Sequence, residues 1–544
     1  MQIKSRNHND QILLFFIILI VVIPIFTVFI HLFFPSTSLW GHLADNLLLK
    51  YLSNTFIILF FVSIISALIG ISCAWLIAMY NFPGKNLFKW LLVIPIAIPT
   101  YISAYIYAGL VEPSGLFFDF FDNYMGLGRE VYALMDLRNI YGAIFVLSIC
   151  LYPYIYLLCY SSFKEQSYCA IEIGKSLGLN PKESFFRVSL PLARPGIIAG
   201  LSLIIMETLA EFGTMDYYGI ATFTTAIYRT WFAFGDETSA MHLASILLTF
   251  VFILIIIERY TRGKSQYHHS SQKNRHIKPI ILKGKYKFFA FMWCLLICLF
   301  GFIIPLLQLL TWFAETYHYM FESAYVDIVI NTIFVASLAS FIIVTISLYS
   351  CYTNRSVNNT FTNFSLKIFS LGYAIPGVVI AIGIIIPITM VDNIQALLFG
   401  SPIYYLSGSL AALIIAYLVR FSTISYNATE AGLSKIKKNI DLTVQSFGLS
   451  NLNIIQKIHI PMMKTTIITS LILVFVDVVK ELPATLILRP FNFDTLAINI
   501  YELASSEQLS YIASPSLMLI IIGLIPVIIL IRKTISSGGQ NIEA

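Results

Sequence analysis

Glu207 and Glu211 stand four residues apart in one long apolar run, and Asp477 and Glu481 stand four apart in another. That spacing puts each pair one turn apart on one face of a helix. A charge at the centre of a membrane span costs roughly 2.5–3.5 kcal/mol on insertion scales, so these acids need a wet cavity or partners. Lys480 lies three residues after Asp477 and can pair with it along the helix, and Arg489 is the next cation after Glu481. Two readings follow. In one, hard oxygen donors line the path of a highly charged cation. In the other, the acids are buried bridges that fix two half-channels together. Tyr217 and Tyr218 add phenol oxygens nearby.

The elements that must position these acids are written twice. Asn54-Thr55 and Ala97-Ile98-Pro99 recur as Asn331-Thr332 and Ala374-Ile375-Pro376, an offset of 277. Gly178, Pro191 and Glu211 recur as Gly448, Pro461 and Glu481, an offset of 270. Such self-similarity marks a repeated structural unit. The expected organisation is a first repeat over 1–258, a basic linker over 259–287 and a second repeat over 288–544. An even number of spans in each half makes the repeats parallel, related by an axis along the membrane normal.

Just before each acid pair the apolar character breaks. The stretch KSLGLNPKESFFRVSLPLARPG, from Lys175 to Gly196, is charged and proline-rich. Gly178 can take the positive φ that stops a helix. Asn180 can cap a second short helix with Pro181 at its first position, and Pro191 and Pro195 close it. The result is an elbow within 164–195 that offers Phe185 and Phe186. The second elbow, within 428–464, turns at Gly448, offers Ile454, Ile455 and Ile458, and exits at Pro461. Two equivalent elbows suit a partner with two equivalent sockets, such as a homodimer.

Composition fixes the setting. Of 544 residues 58% are hydrophobic and 11% charged, with a mean hydropathy of +0.82. An all-α polytopic membrane protein of about twelve spans is predicted. The spans run from 12–33 to 514–531 and include 90–111, 196–214, 367–390 and 465–486. With the N-terminus placed inside, 27 of the 34 lysines and arginines fall in cytoplasmic segments. Five fall outside, and Arg420 and Lys480 fall within spans. This is the positive-inside pattern, with both termini cytoplasmic, and it makes nucleic-acid binding a poor explanation of the basic surplus. The linker, with its His268-His269 pair, reads as a tether near anionic lipid. The seven cysteines read as apolar packing residues, since no second ligand pair accompanies Cys294 and Cys298. Gly263-Lys-Ser lacks the earlier glycine of a P-loop, where Glu258 stands, so no nucleotide site is expected in this chain.

The elbow motif resembles a known one. Glu172-Ile-Gly, three residues, Gly178, nine residues and Val188-x-Leu190-Pro191 are similar to the EAA loop of ABC importer permeases. The second copy keeps Gly448, Ile458, Ile460 and Pro461 but has Leu442-Thr-Val in place of the acidic triplet, with Asp441 one residue early. Glu211-Phe-Gly-Thr, Thr222 to Trp231 and Lys480 to Leu496 resemble the fused, two-repeat ferric iron (Fe3+) permeases among them. The resemblance implies a type I importer fold in a bacterial inner membrane. It implies partners too: an ATPase homodimer carrying ATP and Mg on the cytoplasmic side, and a periplasmic iron-binding protein outside. It implies that Glu172, Gly178, Val188, Leu190 and Pro191, with their second-half counterparts, couple ATP hydrolysis to the spans. Phe185, Phe186, Ile454 and Ile455 are expected to seat in the ATPase grooves. The chain would be a transport subunit without covalent chemistry. Thiamine, polyamine or oxyanion transport by the same machinery stays open, as does an ion-coupled secondary transporter.

Overall fold

The computed structural model describes residues 2–112, 115–126, 136–176, 178–262, 280–357, 359–400, 406–446 and 451–539. Among them, nine helices are long and apolar enough to cross a membrane, or twelve when each of three sharply bent pairs counts as one span. We number the membrane segments in chain order. The first repeat holds α1 (Gln2–Ile30), α2 (Leu48–Met79), α3 (Thr100–Val111), α4 (Ile140–Ser176), α5 (Arg194–Ala210) and α6 (Glu237–Arg262). The second holds α7 (Lys285–Phe321), α8 (Ser323–Val357), α9 (Gly377–Phe399), α10 (Leu410–Ser434), α11 (Lys464–Val479) and α12 (Ala513–Gly539). A two-residue parallel ladder, Tyr80–Asn81 on Ile280–Ile281, is the one strand pairing among the described residues.

The repeats pack alike. In the first, α2, α4 and α5 form a mutual triad, and in the second α8, α10 and α11 do the same. Helices pack in lipid chiefly by close approach of small residues. Gly70 and Gly200 supply it here: a Cβ on either would overlap Ile155 of α4, at 2.0 and 2.4 Å. Each repeat also lends its first span to the other. Helix α1 packs on α9, where Gly383 leaves room for the Pro24 carbonyl, and α7 packs on α3. This exchange ties the two halves into one body.

Four predicted spans are interrupted, displaced or shortened. The run 90–111 is broken at Ile98-Pro99, and the segments Lys85–Ala97 and Thr100–Val111 meet at 95°. A residue before proline avoids helical backbone, and Ile98 is extended (φ −93°, ψ 117°). Pro376 acts the same way, so α9 starts at Gly377, ten residues later than predicted, after a separate helix at Thr360–Phe369. Helices α5 and α11 stop at Ala210 and Val479, short of the predicted 214 and 486. Those early stops put the acids at helix ends.

Candidate functional site: a charged cavity between the repeats and two elbows beneath it

All four intramembrane acids line one cavity of about 120 Å³, together with Lys480 and Arg420. The cavity lining follows the repeat: at the 270 offset Glu207 matches Asp477, Ala210 matches Lys480, Glu211 matches Glu481, and Cys150 of α4 matches Arg420 of α10. It is therefore built on the axis that relates the two halves.

The acids divide by role. Glu211 follows the last residue of α5, with non-helical backbone (φ −65°, ψ 125°). Its carboxylate accepts from the Thr214 amide at 2.9 Å and from the Thr100 hydroxyl. Glu481 does the same after α11, accepting from the Ala484 and Thr485 amides at 3.1 and 2.9 Å and from the Thr485 hydroxyl at 2.7 Å. Each thus caps the short helix that follows it, Gly213–Tyr217 or Pro483–Leu488, where a negative charge meets free amides and the positive end of the helix dipole. These partners all belong to the same half as the acid, so the two acids cap helices and do not bridge the half-channels.

Glu481 has a further partner. Arg420 Nη1 lies 3.3 Å from its Oε1. Arg489, the next cation along the sequence, pairs with Asp494 and Glu502 instead. The repeats explain how Arg420 reaches in. Gly377 stands where the first repeat has Thr100, and a Cβ on Gly377 would lie 2.3 Å from Arg420 Nη1. One half uses a threonine hydroxyl and the other a glycine gap plus a guanidinium. Arg420 was legible only as one of two basic residues inside spans.

Glu207 and Asp477 remain turned to the cavity. Glu207 accepts from the Tyr373 hydroxyl across the repeat boundary. Lys480, expected to pair with Asp477 on its own helix, directs its Nζ to the Ile96 carbonyl at 3.2 Å, while still acting electrostatically on Asp477. Four carboxyl side chains against two basic ones make the lining predominantly acidic in composition. Tyr217 and Tyr218 do not line it; they stand above, with Tyr218 donating to the Ala104 carbonyl.

On the side of the cavity away from the elbows, polar contacts stitch the halves. Arg138 bonds Glu112 of its own half and Glu507 of the other, at 3.2 Å for the latter, and stacks over Tyr217. Burial pushes the Glu112 carboxyl above its usual range, opposed by Arg138. Asp216 holds Arg229 and, across the boundary, the Tyr501 hydroxyl at 2.7 Å. Arg138→Ala is expected to lower thermal stability by only about 0.5–1 kcal/mol, because the Arg138 pairs are partly exposed and screened; differential scanning fluorimetry checks this.

The first elbow forms as its sequence indicates. Gly178 takes φ +70° with nothing within 4 Å of a Cβ, so backbone conformation, not space, calls for glycine. Asn180 and Glu183 form reciprocal bonds: the Glu183 amide to Asn180 at 2.9 Å and the Asn180 amide to Glu183 at 3.1 Å. The helix Pro181–Ser184 then widens into a π turn, Phe185–Ser189, before Pro191. The chain bends by 65° into α5. Pro191 does not end the helix, as expected from sequence; it sits inside the short helix Leu190–Leu192 behind the π turn, which accommodates its missing N–H. The second elbow repeats this through Asn451–Ile454, the π turn Ile455–His459 and Pro461, with a 79° bend into α11.

The contact residues need correction. Phe186 is 65% exposed, but Phe185 turns inward onto Trp75, centroids 4.8 Å apart. Ile454 and Ile455 are buried in the chain's own core and are not free to enter a groove. Val188, Leu190 and Ile458 are half-buried, and Pro191 and Pro461 are exposed. Glu172 lies on the last turns of α4; its side chain and Gly448 lie outside the described residues.

Asp441 has a different use from that of a leading acid. It is buried beneath the second elbow, receiving Arg355 Nε at 2.6 Å and His459 Nε2 at 2.8 Å. Arg355 also donates to the Leu433 and Ile436 carbonyls, at 2.6 and 2.8 Å. Burial lowers the readiness of His459 to protonate, opposed by Asp441. The first repeat has Ala78, Ile171 and Ser189 at the matching positions, so this lock belongs to the second elbow alone. Asp441→Asn is expected to keep the fold but cost about 1–3 kcal/mol, seen as faster amide exchange over 451–463.

The profile of binding-protein-dependent transport system inner membrane components matches residues 66–260 and again 342–534. The chain belongs to this family. It is an ABC importer permease, a transport subunit that crosses the membrane many times. Among curated relatives, it is 24% identical to the Fe(3+)-transport system permease protein FbpB 2 of Haemophilus influenzae, over 94% of this chain and 97% of that protein. It is 22% identical to the ferric transport system permease protein FbpB of Actinobacillus pleuropneumoniae, over 94% and 75%. The sulfate permease CysT of Escherichia coli is 24% identical over 38% of this chain and 71% of its own length.

Proposed function

We propose that this chain is the membrane subunit of an ATP-driven importer for ferric iron. The observation that carries the reading is likeness over nearly the whole length, both repeats included, to two-repeat proteins named as ferric permeases. The sulfate relative matches about one repeat's length. The cavity favours the same choice: its acids outnumber its bases, which suits a cation and opposes an oxyanion such as sulfate.

In this reading the elbow side is cytoplasmic, in keeping with the basic residues that gather there. An ATPase homodimer binds ATP and Mg and grips the two elbows. A periplasmic iron-binding protein docks on the opposite face, over the Arg138 and Asp216 contacts. Closure of the ATPases moves the elbows, and each elbow is the bent lead of the helix that carries an acid pair. Movement at Pro191 or Pro461 thus reaches Glu207 and Glu211, or Asp477 and Glu481, through one rigid helix. A secondary transporter would leave both elbows without a role. The test is uptake by cells whose only iron importer is this one. Labelled ferric iron is expected to accumulate, and sulfate, molybdate and thiamine are not. Accumulation of any of those three without iron overturns the ferric assignment.

A further inference from the structure

Five residues with oxygen-bearing side chains line the cavity without belonging to either helix cap: Glu207, Asp477, Tyr101, Tyr154 and Tyr373. They come from α5, α11, α3, α4 and the segment before α9, so both repeats contribute. Tyr373 binds Glu207, and Tyr154 adjoins Tyr373 within electrostatic reach of Glu207 and Asp477. Tyr101 is a separate observation. It is 5% exposed and lines the same cavity, yet its hydroxyl has no hydrogen-bond partner. Leaving a buried hydroxyl unpaired is unfavourable, and such a group has an explanation when a ligand uses it.

Two bases share the cavity and act on Asp477, and both are held by other partners. Arg420 is engaged by Glu481 and Lys480 by the Ile96 carbonyl. The set is not a closed cage. Among the described residues, no three His, Cys, Asp or Glu side chains converge as a metal site. A transport path requires this balance: favourable enough to enter, loose enough to leave.

We propose that this cavity is a transit site for a trivalent hard cation, held by the carboxylates of Glu207 and Asp477 and by the phenol oxygens of Tyr373, Tyr154 and Tyr101. Hard oxygen donors match such an ion, and each phenol releases its proton to the wet cavity as its oxygen binds. The proposal rests on the ferric reading above and adds the ligands. The matching first-repeat position of Tyr373 is Ile96, and the second-repeat positions of Tyr101 and Tyr154 are Val378 and Ile424. The phenols are therefore unpaired across the axis, and the cation sits off it.

The test uses the full chain in lipid nanodiscs, titrated with ferric nitrilotriacetate. Iron bound by phenolate absorbs visible light, so the wild type is expected to develop a saturable visible band. Tyr373→Phe and Glu207→Gln are expected to weaken its midpoint by about tenfold or more, the loss of a charge-assisted contact. Tyr124→Phe, 78% exposed, is expected to leave it unchanged. A variant that fails to fold is recognised by size-exclusion chromatography, and Asp477→Asn then replaces it. No band in the wild type, or equal midpoints in all proteins, overturns the site. ATP-driven iron uptake in the assembled transporter separates the two ideas. Normal uptake in Tyr373→Phe and Glu207→Gln defeats the site and leaves the ferric reading standing. No iron uptake by the wild type defeats the ferric reading.

Discussion

Arg420→Ala is expected to destabilise the protein by roughly 3–5 kcal/mol, because it strands a buried carboxylate. The Glu481 side chain is 1% exposed and Arg420 13%, so little water can replace the guanidinium. The loss falls on α11 and the helix it hands over to, since Glu481 also caps Pro483–Leu488. Uptake should fall by about tenfold or more alongside a lowered unfolding temperature. Arg420→Lys keeps the charge but not the planar fork, and should recover part of both. Gly377→Ala approaches the same failure from the other side, since its methyl would stand within 2.6 Å of both Arg420 and Glu481 atoms. Thr100→Ala is the first-half comparison. It removes one hydrogen bond from a carboxylate that keeps the Thr214 amide, and should cost only about 1–2 kcal/mol. Thermal unfolding in detergent ranks the variants; an Arg420→Ala protein as stable as wild type would remove the pair from the account.

The second large effect is expected at the first elbow. Phe186 is the exposed aromatic there, and truncating an aromatic anchor at a protein interface typically costs 2 kcal/mol or more. Phe186→Ala should lower ATP-coupled uptake by about tenfold or more while the protein still inserts and its thermal stability hardly moves. The matching residue of the second elbow is Gln456, also exposed. Gln456→Ala should lower uptake by less than about threefold, as surface contacts around hot spots are near neutral. Phe185→Ala should differ in kind. It removes packing on Trp75 and Phe163, so its cost should appear as lost stability of a few kcal/mol. Equal uptake loss from Phe186→Ala and Gln456→Ala would mean that the elbows couple alike.

The first elbow was legible in the sequence because local rules govern it. Gly178, Asn180 and Pro181 act within a few residues of themselves, and the cap and turn appear where those rules put them. The repeat was legible because matched offsets survive divergence. The inward turn of Ile454 and Ile455 was not. An apolar face is buried equally well against the chain's own core or against a partner, and the residue types alone do not tell these apart. Arg420 was hidden for another reason. It stands 61 residues before Glu481, and only packing of α10 on α11 makes them neighbours. The Thr100 and Gly377 contrast lies in the sequence at the 277 offset, but its meaning depends on the guanidinium that fills the gap.

Asp441 shows how one motif position can be reassigned. With the leading acid of the second motif replaced by Leu442, the nearby Asp441 turns inward and clamps Arg355 and His459. The second elbow is thereby fixed to its own half by a buried polar lock, while the first is held by aromatic packing around Phe185. Equivalent backbones carry unequal side chains, in the elbows as in the cavity.

The most direct test is ferric iron uptake into proteoliposomes holding this chain, with the iron-binding protein and the ATPase of the same transport system. Uptake is expected only with ATP and a hydrolysis-competent ATPase, and to be lost when Phe186 is alanine. Iron accumulation driven by an ion gradient, with no ATPase present, would contradict the account.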